Sequence, residues 1–566
     1  MPWLIAPALF AWTRIDPAVI TTPDQEPALA PHYYRDNFLR LLDTVESQYQ
    51  DMLCMAERRF IDSYRSLQFD SQCLYVRLVS RVGPWFREDK LHYPELGLVS
   101  VAVDELLEAD LALEAQQLRA AELGGLYSRL ELLRAFTRPA ATSKSSLLQS
   151  LDPEELYDLR VFPQERIIGP AGVDTVSTLQ LLFFGNRRQG LTEFVLSDLG
   201  VARYYPYQLD RSQRLFPQRK ALDEYLECAA IADRWYESRE QENALELLPN
   251  IAEQARSFKP TCPTTLRRWY RLCNSLAREL ERQGAVELAI ALYEQSQLQP
   301  ARERRARLLE KNGQWQQALD LCEQVLAAPW GEEERDAALR IQPRLRRRLQ
   351  GGKLQRRRDQ FDEIFLEVGR EEKSVELAAA RELGTGWAKV LYVENTLMNG
   401  LFGLAFWEQI FASLPGAFNN PFQSVPSDMY EQDFLLRRTG MIEERLAELE
   451  SACMAEELMG AWRRYHGYQC RWVNWRYLDE ALVRAAVEII PSAHLVAVWR
   501  RMLFDPGENR RGFPDLLALG QREGDYCMIE VKGPGDALQE SQKRWLRFFA
   551  QQGIPARVAW VSWQDD

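Results

Sequence analysis

Apolar residues recur with helical spacing through most of this chain and switch to strand spacing only near its C-terminus. Phe38, Leu39, Leu42 and Val45, then Met52, Leu53 and Phe60, predict an early pair of helices. Leu106, Leu111, Leu113, Leu118, Leu123, Leu126, Leu130 and Leu133 predict short helices broken at Gly124-Gly125. Between 225 and 370 the pattern is helical again and contains a repeat. Gly284-x4-Ala289-x3-Tyr293-x6-Pro300 returns 29 residues later as Gly313-x4-Ala318-x3-Cys322-x6-Pro329. A small residue at a helix crossing and a proline at the end suit tetratricopeptide-like helical hairpins, although two copies at a short period predict no regular superhelix. Residues 383–407 are almost wholly apolar and predict a buried helix or helix pair enclosing one carboxylate, Glu394, and one lysine, Lys389.

Strand signals follow. Leu516-Leu517-Ala518-Leu519 is a short apolar run between Gly512-Phe513-Pro514 and Gly520. Tyr526 to Lys532 is a second, stopped by Gly533-Pro534-Gly535-Asp536. Residues 538–551 return to helical spacing, with Leu538, Trp545, Leu546 and Phe549 on or near one stripe and Gln542 on its core side. Arg557 to Trp563 predicts a last strand.

Chemistry sits where the strands end. Pro514-Asp515, fourteen residues, then Glu530-Val531-Lys532 is the order Pro-Asp…Glu-x-Lys of a metal-dependent nuclease core. Two carboxylates suit a hard divalent cation, Mg²⁺ or Mn²⁺. Such a cation activates water and stabilises charge building on a phosphate, and the lysine can orient that water or neutralise the same charge. Alternation along a strand puts Glu530 and Lys532 on one face. Exposed strand-end charges or a structural salt bridge are the competing readings. Glu394 adds a third carboxylate: buried and alone it would go neutral unless a metal held it, and the alternative is a buried pair with Lys389 or an arginine.

The stretches Gly512-Phe513-Pro514-Asp515-Leu516-Leu517, Ile529-Glu530-Val531-Lys532-Gly533-Pro534-Gly535-Asp536 and Gln542-x-x-Trp545-Leu546 resemble the virus-type replication-repair nuclease domain of the PD-(D/E)xK superfamily. They resemble the Fanconi-associated nucleases and their bacterial relatives more closely still. The resemblance extends to Glu394-Asn395-x4-Gly400-Leu401-Phe402-Gly403-Leu404 and to residues 178–200, where Arg187 and Arg188 occupy a turn between two apolar segments. It implies Glu394, Asp515, Glu530 and the Val531 carbonyl as metal ligands, Lys532 as the water-orienting base, and Gln542 as support behind them. It also implies 5′-flap endonuclease and 5′→3′ exonuclease activity on branched or flapped duplex DNA, and repair of interstrand crosslinks. Residues 120–136 resemble half of a SAP-type DNA-binding hairpin, with Arg134, Arg138 and Lys144 following. The expected fold is therefore multidomain and mostly α: an N-terminal helical region (1–100), a SAP-like helical region (101–224), a tetratricopeptide-like repeat region (225–370), and a C-terminal α/β nuclease core (371–566).

Length and charge refine this. The chain has 566 residues, enough for three or four domains. No apolar run reaches membrane-spanning length, and the apolar start at residues 1–7 lacks a basic flank and carries an early proline, unlike a signal peptide. Nine scattered cysteines without a Cys-x-x-Cys pair argue against structural zinc and for a reducing compartment: the cytoplasm and nucleoid in a bacterium, the nucleus in a eukaryote. The net charge of −12 excludes a uniformly basic DNA-coating protein but not local patches. Arg344, Arg346, Arg347, Arg348, Lys353, Arg356, Arg357 and Arg358 crowd into fifteen residues and form a candidate phosphate contact, whereas Arg302, Arg304, Arg305 and Arg307 fit an ordinary solvated helix face. Two other classes compete. A restriction or host-defence nuclease would join the core to a motor, yet no Gly-x4-Gly-Lys-Ser/Thr loop occurs. A non-catalytic repeat scaffold would not need Asp515, Glu530 and Lys532 together.

Overall fold

The computed structural model describes residues 31–162, 166–187, 189–191, 194–195, 202–239, 241, 244–351, 359–369, 374–451 and 453–564. Arg188, Lys353, Arg356, Arg357, Arg358 and the apolar start at 1–7 lie outside the described residues. The chain divides into two compact units, Met1–Ala202 and Arg203–Asp566.

The first unit opens with the expected helix pair, Tyr33–Tyr49 and Met55–Ser66, joined closely to a third helix, Phe69–Val79. Phe38, Leu42, Val45 and Phe60 are buried, so the apolar stripe is the core face. The Glu57 carboxylate accepts the Cys54 N–H at 2.8 Å and fixes the start of the second helix. The leucine series that follows is only partly helical. Leu106 lies in the helix Val99–Glu108, but Leu113 and Leu118 fall in short strands, Ala112–Glu114 and Gln117–Arg119. These pair antiparallel with Ile167–Pro170 and Leu156–Asp158, partners too distant in sequence to be read from local spacing. Nor does the chain break at Gly124-Gly125. The helix Ala120–Leu126 runs through both glycines. A Cβ on Gly124 would stand 2.7 Å from Leu148 Cδ1, so the glycine permits close packing rather than ending a helix. The break comes at Tyr127-Ser128, where the Ser128 hydroxyl and Glu131 cap the next helix, Arg129–Ala135.

The second unit begins with helices α1 (Arg219–Ser238), α2 (Ala244–Ser257), α3 (Pro263–Arg282), α4 (Val286–Gln295), α5 (Ala301–Lys311), α6 (Trp315–Ala327) and α7 (Glu332–Gln350). The sequence repeat is structural. Gly284 and Gly313 take positive φ, +79° and +77°, at the turns α3–α4 and α5–α6. Ala289 and Ala318 are fully buried where the helices cross.

After α7 comes a five-stranded mixed sheet. Its strands are β1 (Glu363–Val368), β2 (Lys389–Tyr392), β3 (Leu516–Leu519), β4 (Tyr526–Lys532) and β5 (Ala556–Trp563), in spatial order β1-β5-β4-β3-β2. β3 and β4 run antiparallel, as do β3 and β2, while β4, β5 and β1 are parallel. Two differences from the sequence reading stand out. β1 lies inside the stretch 225–370 that reads as helical repeat. Residues 389–392, expected in a buried helix, form β2. The helices around the sheet are α8 (Val375–Leu383), α9 (Leu397–Ala405), α10 (Asp433–Ser451), α11 (Met454–Tyr465), α12 (Glu480–Ile489), α13 (Ser492–Phe504) and α14 (Glu540–Gln552). Alternation sorts the sheet faces. Leu516, Ala518, Cys527, Ile529 and Val531 pack on the α8 side, whereas Leu517, Leu519, Tyr526 and Met528 face the larger core with Trp545 and Phe549 of α14. Among the described residues no single helix is long and apolar enough to cross a membrane.

Candidate active site at the ends of β3 and β4

The sheet register builds the site. Leu516 pairs with Ile529 on one side and with Tyr392 on the other, so Asp515 stands level with Glu530 and Val393. Two backbone contacts hold it there: the Val531 N–H donates to Asp515 Oδ2, and the Val393 N–H donates to the Asp515 carbonyl, both at 2.8 Å. Period two then puts Asp515, Glu530 and Lys532 on the face of Leu517, Tyr526 and Met528, the face covered by α14. The three residues that carry the Pro-Asp…Glu-x-Lys signature are thus brought together, and all are buried.

Glu530 is 1% exposed and unevenly satisfied. Its Oε1 accepts from Lys532 Nζ at 2.7 Å and from Gln542 Nε2 at 2.5 Å, as the placement of Gln542 on the core stripe of α14 predicts. Its Oε2 is buried with no hydrogen-bond partner among the described residues. Burial first, and the neighbouring Asp515 charge second, push the Glu530 carboxyl up to about 8. Burial likewise raises Asp515 to about 6, with the Glu394 charge adding to it. An orphaned carboxylate oxygen beside a second carboxylate with raised proton affinity is a pair that a hard cation satisfies. The donor set therefore fits Mg²⁺ or Mn²⁺.

Glu394 corrects the sequence reading. It is not inside a helix and not buried. It is an exposed residue in the turn from β2 to α9, accepting from the Tyr392 hydroxyl at 2.7 Å and from Asn395 Nδ2 at 3.1 Å. Among the described residues it pairs with neither Lys389 nor an arginine. Its charge still reaches the site, raising both Asp515 and Glu530. Among the described residues no three Asp, Glu, His or Cys side chains stand gathered as a metal centre, so Glu394 lies beside the other two rather than closed onto them.

The loop entering β3 is held from two sides, and none of these contacts is visible in the motif. Asn395, at φ +50°, accepts the Phe513 N–H through Oδ1 at 3.3 Å, and Asn399 Nδ2 donates to the Arg510 carbonyl at 3.0 Å. From α14, Trp545 donates its indole N–H to the Arg511 carbonyl at 2.9 Å and stacks on Phe513 with centroids 4.1 Å apart. Gly512 takes φ +79°, and a Cβ there would lie 2.8 Å from the Ser541 backbone, so only glycine admits this approach. Asparagine tolerance of positive φ is the signal that marks Asn395.

The candidate DNA-contacting residues scatter. In the first unit Arg134 and Arg138 are exposed, and Arg187 follows the helix Val173–Phe184. Lys144 turns its ammonium to the Tyr127 carbonyl at 2.8 Å. In the second, Arg344 and Arg346 pair with Glu310 and Glu323, Arg348 lies over the Trp315 ring at 5.4 Å, and Arg347 is exposed. Arg302, Arg304, Arg305 and Arg307 are all ion-paired to glutamates.

Comparison with known proteins bears on the family of the chain. The VRR-NUC domain profile matches residues 451–563, which contain Asp515, Glu530, Lys532 and Gln542. A profile described as the FAN1 HTH domain matches residues 32–112, from the first helix of the first unit to just past the helix Val99–Glu108. In the sequence the signal for this region is the amphipathic spacing of its first helices. A Fanconi-associated nuclease 1 homolog of Pseudomonas aeruginosa is 36% identical over 96% of this chain and 98% of its own length. The rice homolog is 25% identical over 94% of this chain, which spans 62% of it. A crystal structure of paFAN1 bound to 5′ flap DNA with a 2-nt flap and a gap superposes with a TM-score of 0.84 at 36% identity, covering 95% of this chain and 100% of that one; a 1-nt flap complex gives 0.83. With its motif, its strand-end site and near full-length identity in agreement, the chain belongs to the Fanconi-associated nuclease family and is an enzyme that hydrolyses DNA phosphodiester bonds.

Proposed function

We propose that this nuclease is structure-selective and divalent-metal-dependent, cutting duplex DNA near a 5′ flap, trimming 5′→3′, and serving DNA repair that includes interstrand crosslinks. The observation that carries the metal is the unpartnered Oε2 of Glu530 next to Asp515. Asp515, Glu530 and the Val531 carbonyl would hold the ion, with Glu394 swung in from the β2–α9 turn. A bound Mg²⁺ or Mn²⁺ supplies Lewis acidity toward the phosphate and lowers the pKa of water. The chain's own residues do the rest. Gln542 and Lys532 share Glu530 Oε1 and so leave Oε2 for a ligand. The Lys532 ammonium, fixed by that contact, orients the attacking water or offsets charge developing on the phosphate.

The choice of substrate leans on the relatives solved on 5′ flap DNA. The region matching the HTH profile, the 101–224 region with Arg134, Arg138 and Arg187, and the repeat region with Arg347 and Arg348 would each supply phosphate contacts, and the core at 371–566 would make the cut. The enzyme would then work where the DNA is: the nucleoid in a bacterium, the nucleus in a eukaryote. The test is a comparison of labelled duplexes bearing a 5′ flap, a 3′ flap or no branch, in Mg²⁺. Cleavage concentrated near the junction of the 5′-flapped duplex is expected. Equal cleavage of all three would reject structure selectivity.

A further inference from the structure

The helix with the basic run is bolted to the helix that carries Gln542, and the joint is ionic and centred on a buried arginine. α7 presents Glu332 and Asp336 from its first turns. Arg544, two residues beyond Gln542 on α14 and 8% exposed, donates from Nη1 to Asp336 Oδ2 and from Nη2 to Glu508 Oε2, each at 3.1 Å. Beside it Arg501 of α13 pairs with Glu332 Oε1 at 3.0 Å and lies over Trp545 at 5.0 Å. Glu332 is 1% exposed, and its backbone N–H donates to Asp505 Oδ2 at 2.9 Å.

Apolar side chains would hold two helices together with less desolvation than two buried guanidinium groups require. What forked, charge-assisted contacts add is a fixed orientation. That orientation matters here because of where Arg544 stands. Two residues before it, Gln542 holds Glu530 Oε1. The next residue, Trp545, holds the Arg511 carbonyl and stacks on Phe513, two residues from Asp515. Both carboxylates of the site are therefore placed from the one helical turn that Arg544 anchors.

We propose that Arg544 is a positioning residue: through Asp336 it locks α14 to α7, so that the helix bearing Arg347 and Arg348 and the two carboxylates form one rigid piece. The inference rests on the reading of Asp515 and Glu530 as the reacting site.

Two variants test it. Arg544→Lys keeps the charge, but one ammonium does not fork between Asp336 and Glu508. Asp336→Asn removes the negative charge of the partner on α7 and leaves Arg544 paired with Glu508. Each should lower kcat on a 5′-flapped duplex in Mg²⁺ by about tenfold to a hundredfold, the scale of a small misplacement, with KM for DNA changed by less than about twofold. The double variant should lose no more than the worse single, because both break one link. Should Arg544→Lys melt early, Asp336→Asn decides. A normal kcat for Asp336→Asn, defects that multiply in the double variant, or an effect confined to KM would overturn the proposal. Asp515→Ala separates the two failures. If it still cuts, the site is misassigned; if it is dead while Arg544→Lys and Asp336→Asn cut normally, only the positioning role is wrong.

Discussion

Glu530 is the residue on which the electrostatics of the site turn. Its folded-state pKa of about 8 lies above the ordinary 4.5, because burial and Asp515 disfavour the charged form. Folding is therefore most favoured where the group is protonated: the contribution is complete below about pH 4.5 and lost as pH rises through about 8. Glutamine mimics the protonated carboxyl. In chelator, the melting temperatures of wild type and Glu530→Gln should coincide near about pH 4.5, and wild type should fall below the variant by about pH 9. Adding Mg²⁺ should restore wild type at the high end and leave the variant unmoved. Parallel curves across this range would contradict the assignment. Glu394 gives a different expectation. It is exposed and bonded to Tyr392 and Asn395, so Glu394→Gln should leave the melting temperature in chelator unchanged to about two degrees. As a metal ligand it should nonetheless cost orders of magnitude in cleavage and raise half-saturating metal. Near-normal cleavage would remove it from the site. Glu530 and Lys532 were legible in the sequence because strand alternation fixes their common face. Glu394 was misplaced because a four-residue apolar run such as 390–393 has no period of its own, and its strand partner, β3, is over a hundred residues away.

At the scale of elements, β3, β4, α14 and β5 were all readable, since glycines and prolines bound the strands and α14 keeps a clean helical stripe. β1 was not, because its strand partner among the described residues is β5, nearly two hundred residues on. The strands containing Leu113 and Leu118 were missed for the same reason: their pairing partners, at 156–158 and 167–170, decide against the local helical spacing. α7 is the element whose charge makes a prediction. Arg344 and Arg346 are already committed to Glu310 and Glu323, so the residues available to phosphates on its described end are Arg347 and Arg348. Changing both to alanine should flatten the slope of log K against log salt by about 0.9 for each phosphate no longer neutralised, whereas Arg344→Ala should leave it unchanged. An unaltered slope in the Arg347/Arg348 variant would make α7 a solvated face.

Across the whole molecule, a net charge of −12 coexists with a DNA-cutting enzyme because many arginines are spent on neighbouring glutamates, and phosphate binding needs only local surplus. The architecture follows the same division of labour. Helices dominate the start of the second unit and, beside short paired strands, the first, while the five-stranded mixed sheet near the C-terminus concentrates the candidate reacting groups at the ends of two strands. The central claim is that Asp515, Glu530 and Lys532 are the reacting centre of a metal-dependent nuclease. The most direct measurement is cleavage of an end-labelled 5′-flapped duplex by purified wild type and Asp515→Ala, in Mg²⁺ and in chelator, with DNA affinity measured alongside. Wild type should cut near the junction only with metal, and Asp515→Ala should bind the DNA with near-normal affinity yet cut orders of magnitude more slowly. Substantial metal-dependent cleavage by Asp515→Ala would contradict the account.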